Sequence, residues 1–219
     1  TLKVYLSKQR SGVAFKSTYN TGNMGVNEHF SLSNISNETS YIEQEIDFSD
    51  RSQFSWNLSG DRNIISETLT VGQGFSFVTE PFDEDLELSG SVSGVLNVSI
   101  NKKDFDFNVL LYEQTADGSF FSLTIPFTTR ASMSKDIENR NLLTPNKKTS
   151  IPIQNFRMTS KKIKKGSRIV VLINGIKHPF SQINFGTGKD VSEESIKDAE
   201  EPLKIKWYTD SYIHFPVNM

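Results

Sequence analysis

Hydrophobic and polar residues alternate along much of the chain with the period of two that places successive side chains on opposite faces of a strand. Leu96, Val98 and Ile100 alternate with Asn97, Ser99 and Asn101, which predicts a half-buried strand. Phe107-Asn108-Val109-Leu110-Leu111-Tyr112 leads to Thr115-Ala116-Asp117-Gly118, where glycine accepts the positive φ of a tight turn, and residues 120–127 read as the returning strand. Arg168-Ile169-Val170-Val171-Leu172-Ile173 is almost continuously aliphatic between Gly166 and Gly175, the pattern of a strand covered on both faces. Weaker strand patterns fall at residues 2–6, 41–48, 75–79, 149–158, 203–208 and 211–217. Many short strands separated by turn residues predict an all-β fold, a β-sandwich or jelly roll, as a single domain over residues 1–219.

Two stretches break the pattern. Residues 10–27 are rich in Ser, Thr, Asn and Gly without a clear period, so they are expected to form a surface loop. Residues 192–201 are charged, and Val191-Ser192-Glu193-Glu194 is suited to opening a short helix, with serine as cap, acidic residues in the first turn and Pro202 as the stop.

Composition narrows the function classes. The 219 residues suffice for one all-β domain with a sizeable core. A net charge of -2, from 24 basic and 26 acidic residues, supplies no field that would draw nucleic acid or an anionic membrane. With no cysteine there is no disulfide framework, thiolate nucleophile or cysteine-based zinc site in the chain, and the compartment stays undetermined. No apolar run approaches the roughly 20 residues of a membrane helix, and no leader pattern opens the chain. A start at Thr1 is what a trimmed or excised fragment shows.

Candidate chemistry is sparse. Gly90-Ser91-Val92-Ser93-Gly94 has the glycines of a nucleophile elbow, but valine stands where the serine must be, so the segment reads as a turn or bulge. His29, His178 and His214 are isolated from one another in sequence. Gly186-Thr187-Gly188-Lys189 lacks the spacing of a phosphate cradle and reads as a tight glycine loop. Asp104 and Asp106 share one face if both lie in one strand, with Phe105 and Phe107 on the other. Two carboxylates are too few for calcium, which takes six or more oxygens, so a solvated or arginine-paired face is expected. Lys161-Lys162-Ile163-Lys164-Lys165 has no aromatic neighbours and reads as a solvated turn rather than a nucleic-acid patch. Trp207 alternates with Ile205 and is assigned, with Val171, to the core. No catalytic residue, cofactor or metal site is expected. Residues 176–190 follow the most apolar strand, and His178, Phe180 and Phe185 make this loop the candidate binding surface, the alternative being that Phe180 and Phe185 fold back under the loop as a satellite core.

An ordered set of segments adds a family resemblance. Thr79-Glu80-Pro81-Phe82, Asp85-Leu86-Glu87-Leu88-Ser89-Gly90, Asp104-Phe105-Asp106-Phe107, Asp117-Gly118, Lys164-Lys165-Gly166-Ser167-Arg168-Ile169, Ile205-Lys206-Trp207-Tyr208 and Ile213-His214-Phe215-Pro216-Val217 occur in turn. Together they resemble the C-terminal β-sandwich of the X-Pro dipeptidyl-peptidase and cocaine-esterase-like serine hydrolases, most strongly over residues 75–217. The resemblance implies a galactose-binding-like jelly roll that packs on an α/β-hydrolase catalytic domain and shapes its cleft. Nucleophile, acid and base are then expected outside these residues, and the partner is that catalytic domain, with homo-oligomers left open through the parent enzyme. Residues 176–190 depart from the family's Ser-Ser-Asn-x-Pro sequence, so its substrate contacts do not transfer. A self-standing carbohydrate-binding sandwich is the alternative, to be recognised by exposed, co-planar aromatics.

Overall fold

The strand residues sort into two layers because alternate side chains must leave water on the same side. The computed structural model describes residues 1–19, 24–37, 39–50, 63–177 and 182–218. Its strands are β1 (Leu2–Tyr19), β2 (Met24–Ser33), β3 (Tyr41–Ile46), β4 (Ile65–Ser66), β5 (Leu69–Gly72), β6 (Phe75–Val78), β7 (Leu86–Gly90), β8 (Ser93–Ile100) and β9 (Asp106–Gln114). They continue with β10 (Phe120–Ser122), β11 (Phe127–Arg130), β12 (Thr149–Ile153), β13 (Thr159–Ile163), β14 (Arg168–Gly175), β15 (Leu203–Tyr208), β16 (Tyr212–Phe215) and β17 (Val217–Asn218).

One layer runs β3-β15-β8-β16-β1, with β12 also paired to β8. The other runs β2-β6-β14-β9-β10-β4, with β11 also on β9, and the β1–β2 pairing joins the two. A small sheet, β13-β7-β17, stands apart. The layers face each other across the main core: the Trp207 ring on β15 meets Phe105 and Phe107 edge to face at 5.9 and 6.3 Å. Trp207 and Val171 are both in this core, as expected from the sequence.

The aliphatic strand β14 is covered on both faces. Ile169, Val171 and Ile173 enter the main core, while Val170 and Leu172 enter a second one with Phe15, Leu69, Val71, Val78, Leu110 and Phe120. Strand β9 divides its side chains in the same way, Val109 and Leu111 to one side and Leu110 to the other.

The second core corrects the expectation of a surface loop at residues 10–27 over residues 10–19, while 24–27 belong to β2 and 20–23 lie outside the described residues. Strand β1 continues to Tyr19 and pairs with β2 and, in parallel, with β5. Register shifts between Leu6 and Arg10 and between Arg10 and Ala14 bend it from the first layer toward the second. Phe15 and Ser17 are buried while Ala14 and Lys16 are exposed. A period of two is therefore present, but serine occupies one inward site and hides it.

Four smaller expectations change as well. Residues 120–127 form not one strand but β10 and the start of β11, both on β9. The strand expected over 149–158 ends at Ile153. The lysine run is a turn only in its second half: Lys161–Ile163 end a strand that pairs with β7, Lys161 opposite Leu88, and Lys164 and Lys165 enter the turn closed by the Ser167 amide on the Lys164 carbonyl. The expected helix is two short 3-10 turns, Val191–Glu193 capped by Asp190 and Ile196–Ala199 capped by Ser195 in a capping box with Asp198, so Ser192 is not the cap. Gly90-Ser91-Val92-Ser93-Gly94 is the corner between the small sheet and the large one, with Gly90 at φ 131° and Val92 buried.

Candidate functional site

The end of the sandwich after β14 is built from charged groups that neutralise one another. Asp104 lies just before β9 rather than in it, so Asp104 and Asp106 do not form the two-carboxylate strand face expected from the sequence. The Asp104 carboxylate is fully buried; it accepts from the Phe105 and Ser132 amides, each at 3.0 Å, from the Ser132 hydroxyl at 2.7 Å and from Arg140 at 3.1 Å. Asp106 accepts two bonds from Arg130, at 2.9 and 3.3 Å, and one from the Asn184 amide at 3.0 Å. Hydrogen bonding to Asp106 holds the Arg130 guanidinium above its usual pKa. Both carboxylates are thus arginine-paired. Among the described residues no three His, Asp or Glu side chains converge as a metal-ligand set.

The loop of residues 176–190 is tied to this cluster. The Ile176 amide donates to the Asp106 carbonyl at 2.8 Å, and the buried Lys177 ammonium donates to the carbonyls of Asp47 and Asp50 at 2.8 and 2.5 Å. His178 and Phe180 lie outside the described residues. Phe185 is turned inward, 6% exposed and edge-on to Phe48 at 5.7 Å, so its ring belongs to the core and offers no contact surface.

The glycine segment does hold an anion, and the anion is Glu194. Its carboxylate accepts from the Phe185 amide at 2.8 Å, the Thr187 amide at 2.9 Å and the Thr187 hydroxyl at 2.5 Å. Gly186 has φ 80°, and a Cβ there would stand 2.6 Å from the Asp104 carbonyl, so both conformation and space demand glycine. Lys189 bonds Asp198 at 2.5 Å, which raises the lysine pKa and lowers that of the aspartate. Backbone donors suited to phosphate are already occupied by the chain's own carboxylate.

The other motifs are similarly absorbed. Lys161 pairs with the buried Glu113 at 2.9 Å and lies 4.6 Å from the Phe121 ring centre. Lys162 and Lys164 both reach Asp85, at 3.1 and 3.2 Å. His29 bonds Ser76 and stacks on Phe15 at 3.7 Å, but His29 and Ser76 are 1% and 2% exposed, which closes the pair to any substrate. His214 is on β16 opposite Lys3. The half-buried tyrosines Tyr41 and Tyr208, and Tyr5 and Tyr212, meet at interplanar angles of 61° and 64°, so neither pair forms the flat platform on which a sugar ring stacks.

Sequence reasoning missed Arg130, Arg140, Asn184 and Glu194. The partners of the first three lie far away in the chain, Arg130 and Asp106 24 positions apart, Arg140 and Asp104 36, and Asn184 and Asp106 78, whereas Glu194 is only 7 and 9 positions from Thr187 and Phe185.

Comparison with known proteins places this geometry. The chain resembles the solved structure of an α-amino acid ester hydrolase at 16% identity and a TM-score of 0.66, over 94% of this chain and 36% of that one. It resembles an aminopeptidase from a marine sediment archaeon, Thaumarchaeota archaeon, at 15% identity and a TM-score of 0.67, over 99% of this chain and 36% of that one. A CocE/NonD family hydrolase from Staphylococcus aureus matches at 14% identity and a TM-score of 0.55, over 94% of this chain and 41% of that one. At these identities the likeness is one of fold, and the chain spans well under half the length of each. No curated protein sequence matches the chain. The family model for the X-Pro dipeptidyl-peptidase C-terminal non-catalytic domain matches residues 5–206, nearly the whole sandwich, and the chain therefore belongs to that family.

Proposed function

We propose that this chain is the accessory domain of a serine hydrolase that cleaves ester or amide bonds, X-Pro peptides among the candidates, and that it packs on an α/β-hydrolase domain and helps shape its cleft. The observation that carries the reading is the family match over residues 5–206 in a chain that spans only 36% to 41% of three solved hydrolase or peptidase chains. The closed His29–Ser76 pair and the valine at the centre of residues 90–94 fit a domain whose chemistry is done elsewhere. In this reading residues 176–190 face the catalytic domain with His178 and Phe180 as contact residues, and Phe185 is excluded by its burial.

The test is hydrolysis of p-nitrophenyl acetate and of a Gly-Pro chromogenic amide by the full polypeptide that carries this chain and by the chain alone. Turnover of at least one substrate is expected from the full polypeptide and none above a heat-treated control from the chain alone. Turnover by the chain alone, abolished by substituting one of its own serines, would sink the proposal.

A further inference from the structure

We propose that the apolar groove between β10, β5 and the segment after β12 is where the catalytic domain seats on this chain. The inference rests on the reading above and adds a second docking surface to the loop of residues 176–190, none of whose described residues lines the groove.

The groove has a volume of about 490 Å³. Its walls include Leu69, Leu110 and Phe120, which also belong to the second core, so a side chain entering it would extend that core rather than sit on a separate patch. Its rim carries Ile64, Ile125 and Met158, exposed by 60%, 57% and 79%. Large apolar side chains left in water at one place mark an interaction site. A small ligand filling the cavity would leave these three rim side chains wet; a protein surface laid over the rim would cover them. Arg157 is the single charged residue in the lining, and its guanidinium meets no carboxylate among the described residues. The expected occupant is thus a mainly apolar surface with one acidic or carbonyl group for Arg157, a composition suited to an interface core with a polar rim. The occupant we commit to is the covalently attached hydrolase domain. In the structural relatives 36% to 41% of the chain is matched here and the larger part lies outside the match, a second body tethered to this one at high effective concentration.

The test uses thiol labelling in the full polypeptide. This chain has no cysteine, so Met158→Cys and the control Ile137→Cys each add one reporter thiol to it. Ile137 is 82% exposed and does not line the groove. Docking predicts that maleimide labels Met158→Cys about tenfold or more slowly than Ile137→Cys, because labelling must wait for the interface to open. Equal rates in an enzyme that hydrolyses ester or amide substrate would overturn the groove assignment while leaving the hydrolase reading intact. Slow labelling that becomes fast on dilution to monomer would name a second copy as the occupant and also overturn it. A protected thiol in a polypeptide without either turnover would remove the hydrolase reading and, with it, the occupant named here.

Discussion

Trp207 shows how one residue serves both packing and polarity. Its ring is 1% exposed between Phe105 and Phe107, and its indole N–H donates to the Gln44 side chain at 3.1 Å, so the polar edge is satisfied inside an apolar core. Trp207→Ala leaves a cavity and strips the Gln44 oxygen of its shorter hydrogen bond, leaving the Gly175 amide at 3.4 Å, and it is expected to cost about 3 to 5 kcal/mol, read as a lowered denaturation midpoint. An unchanged midpoint would place the ring at the surface. Asp85 works by charge at an exposed position. Bonds from the Lys165 amide, Lys162 and Lys164 lower its pKa from 3.8 to about 2. The folded value is the lower one, so its contribution is present above pH 3.8 and is lost as pH falls toward 2. Asp85→Asn is expected to lower the thermal midpoint slightly at pH 7, with the gap to wild type closing near pH 2. A gap that widens on acidification would contradict the assignment.

Among the elements, the long β1 is the informative one. Its first residues pair with β16 and its last with β5, so a single strand serves both layers and lays Phe15 over the outer face of β14. Phe15→Ala is expected to destabilise by about 3 to 5 kcal/mol, a loss that a residue in a surface loop would not produce. Measured near the midpoint, that corresponds to roughly 2 to 4 °C per kcal/mol for a domain of this size. A midpoint within experimental error of wild type would return residues 10–19 to the surface. The 3-10 turns after the glycine loop show a different principle: Asp190 caps the Ser192 amide of its own turn, while Glu194 and Asp198 take the Phe185 amide and the Lys189 ammonium of the preceding loop, so charge serves as local architecture.

At the scale of the whole molecule, the period-two pattern determined the all-β class, the aliphatic run of β14 determined a strand covered on both faces, and the centre of residues 90–94 excluded an elbow. These features are legible because each depends on neighbours in sequence, where side-chain direction follows directly from backbone period. The order of short motifs carried the family in the same way. What only the tertiary structure decided involves partners that sequence separates. Ser17 and Phe15 gain meaning from β5 and β14. The lysine run is neutralised by Glu113 and Asp85, the glycine cradle is filled by Glu194, and Phe185 faces inward because Phe48 lies behind it. The rim of the groove joins Ile64, Ile125 and Met158 from three distant segments. Periodicity reports which way a side chain points but not what it meets, and in a sheet fold the meeting is set by strand order, which long-range pairing alone determines.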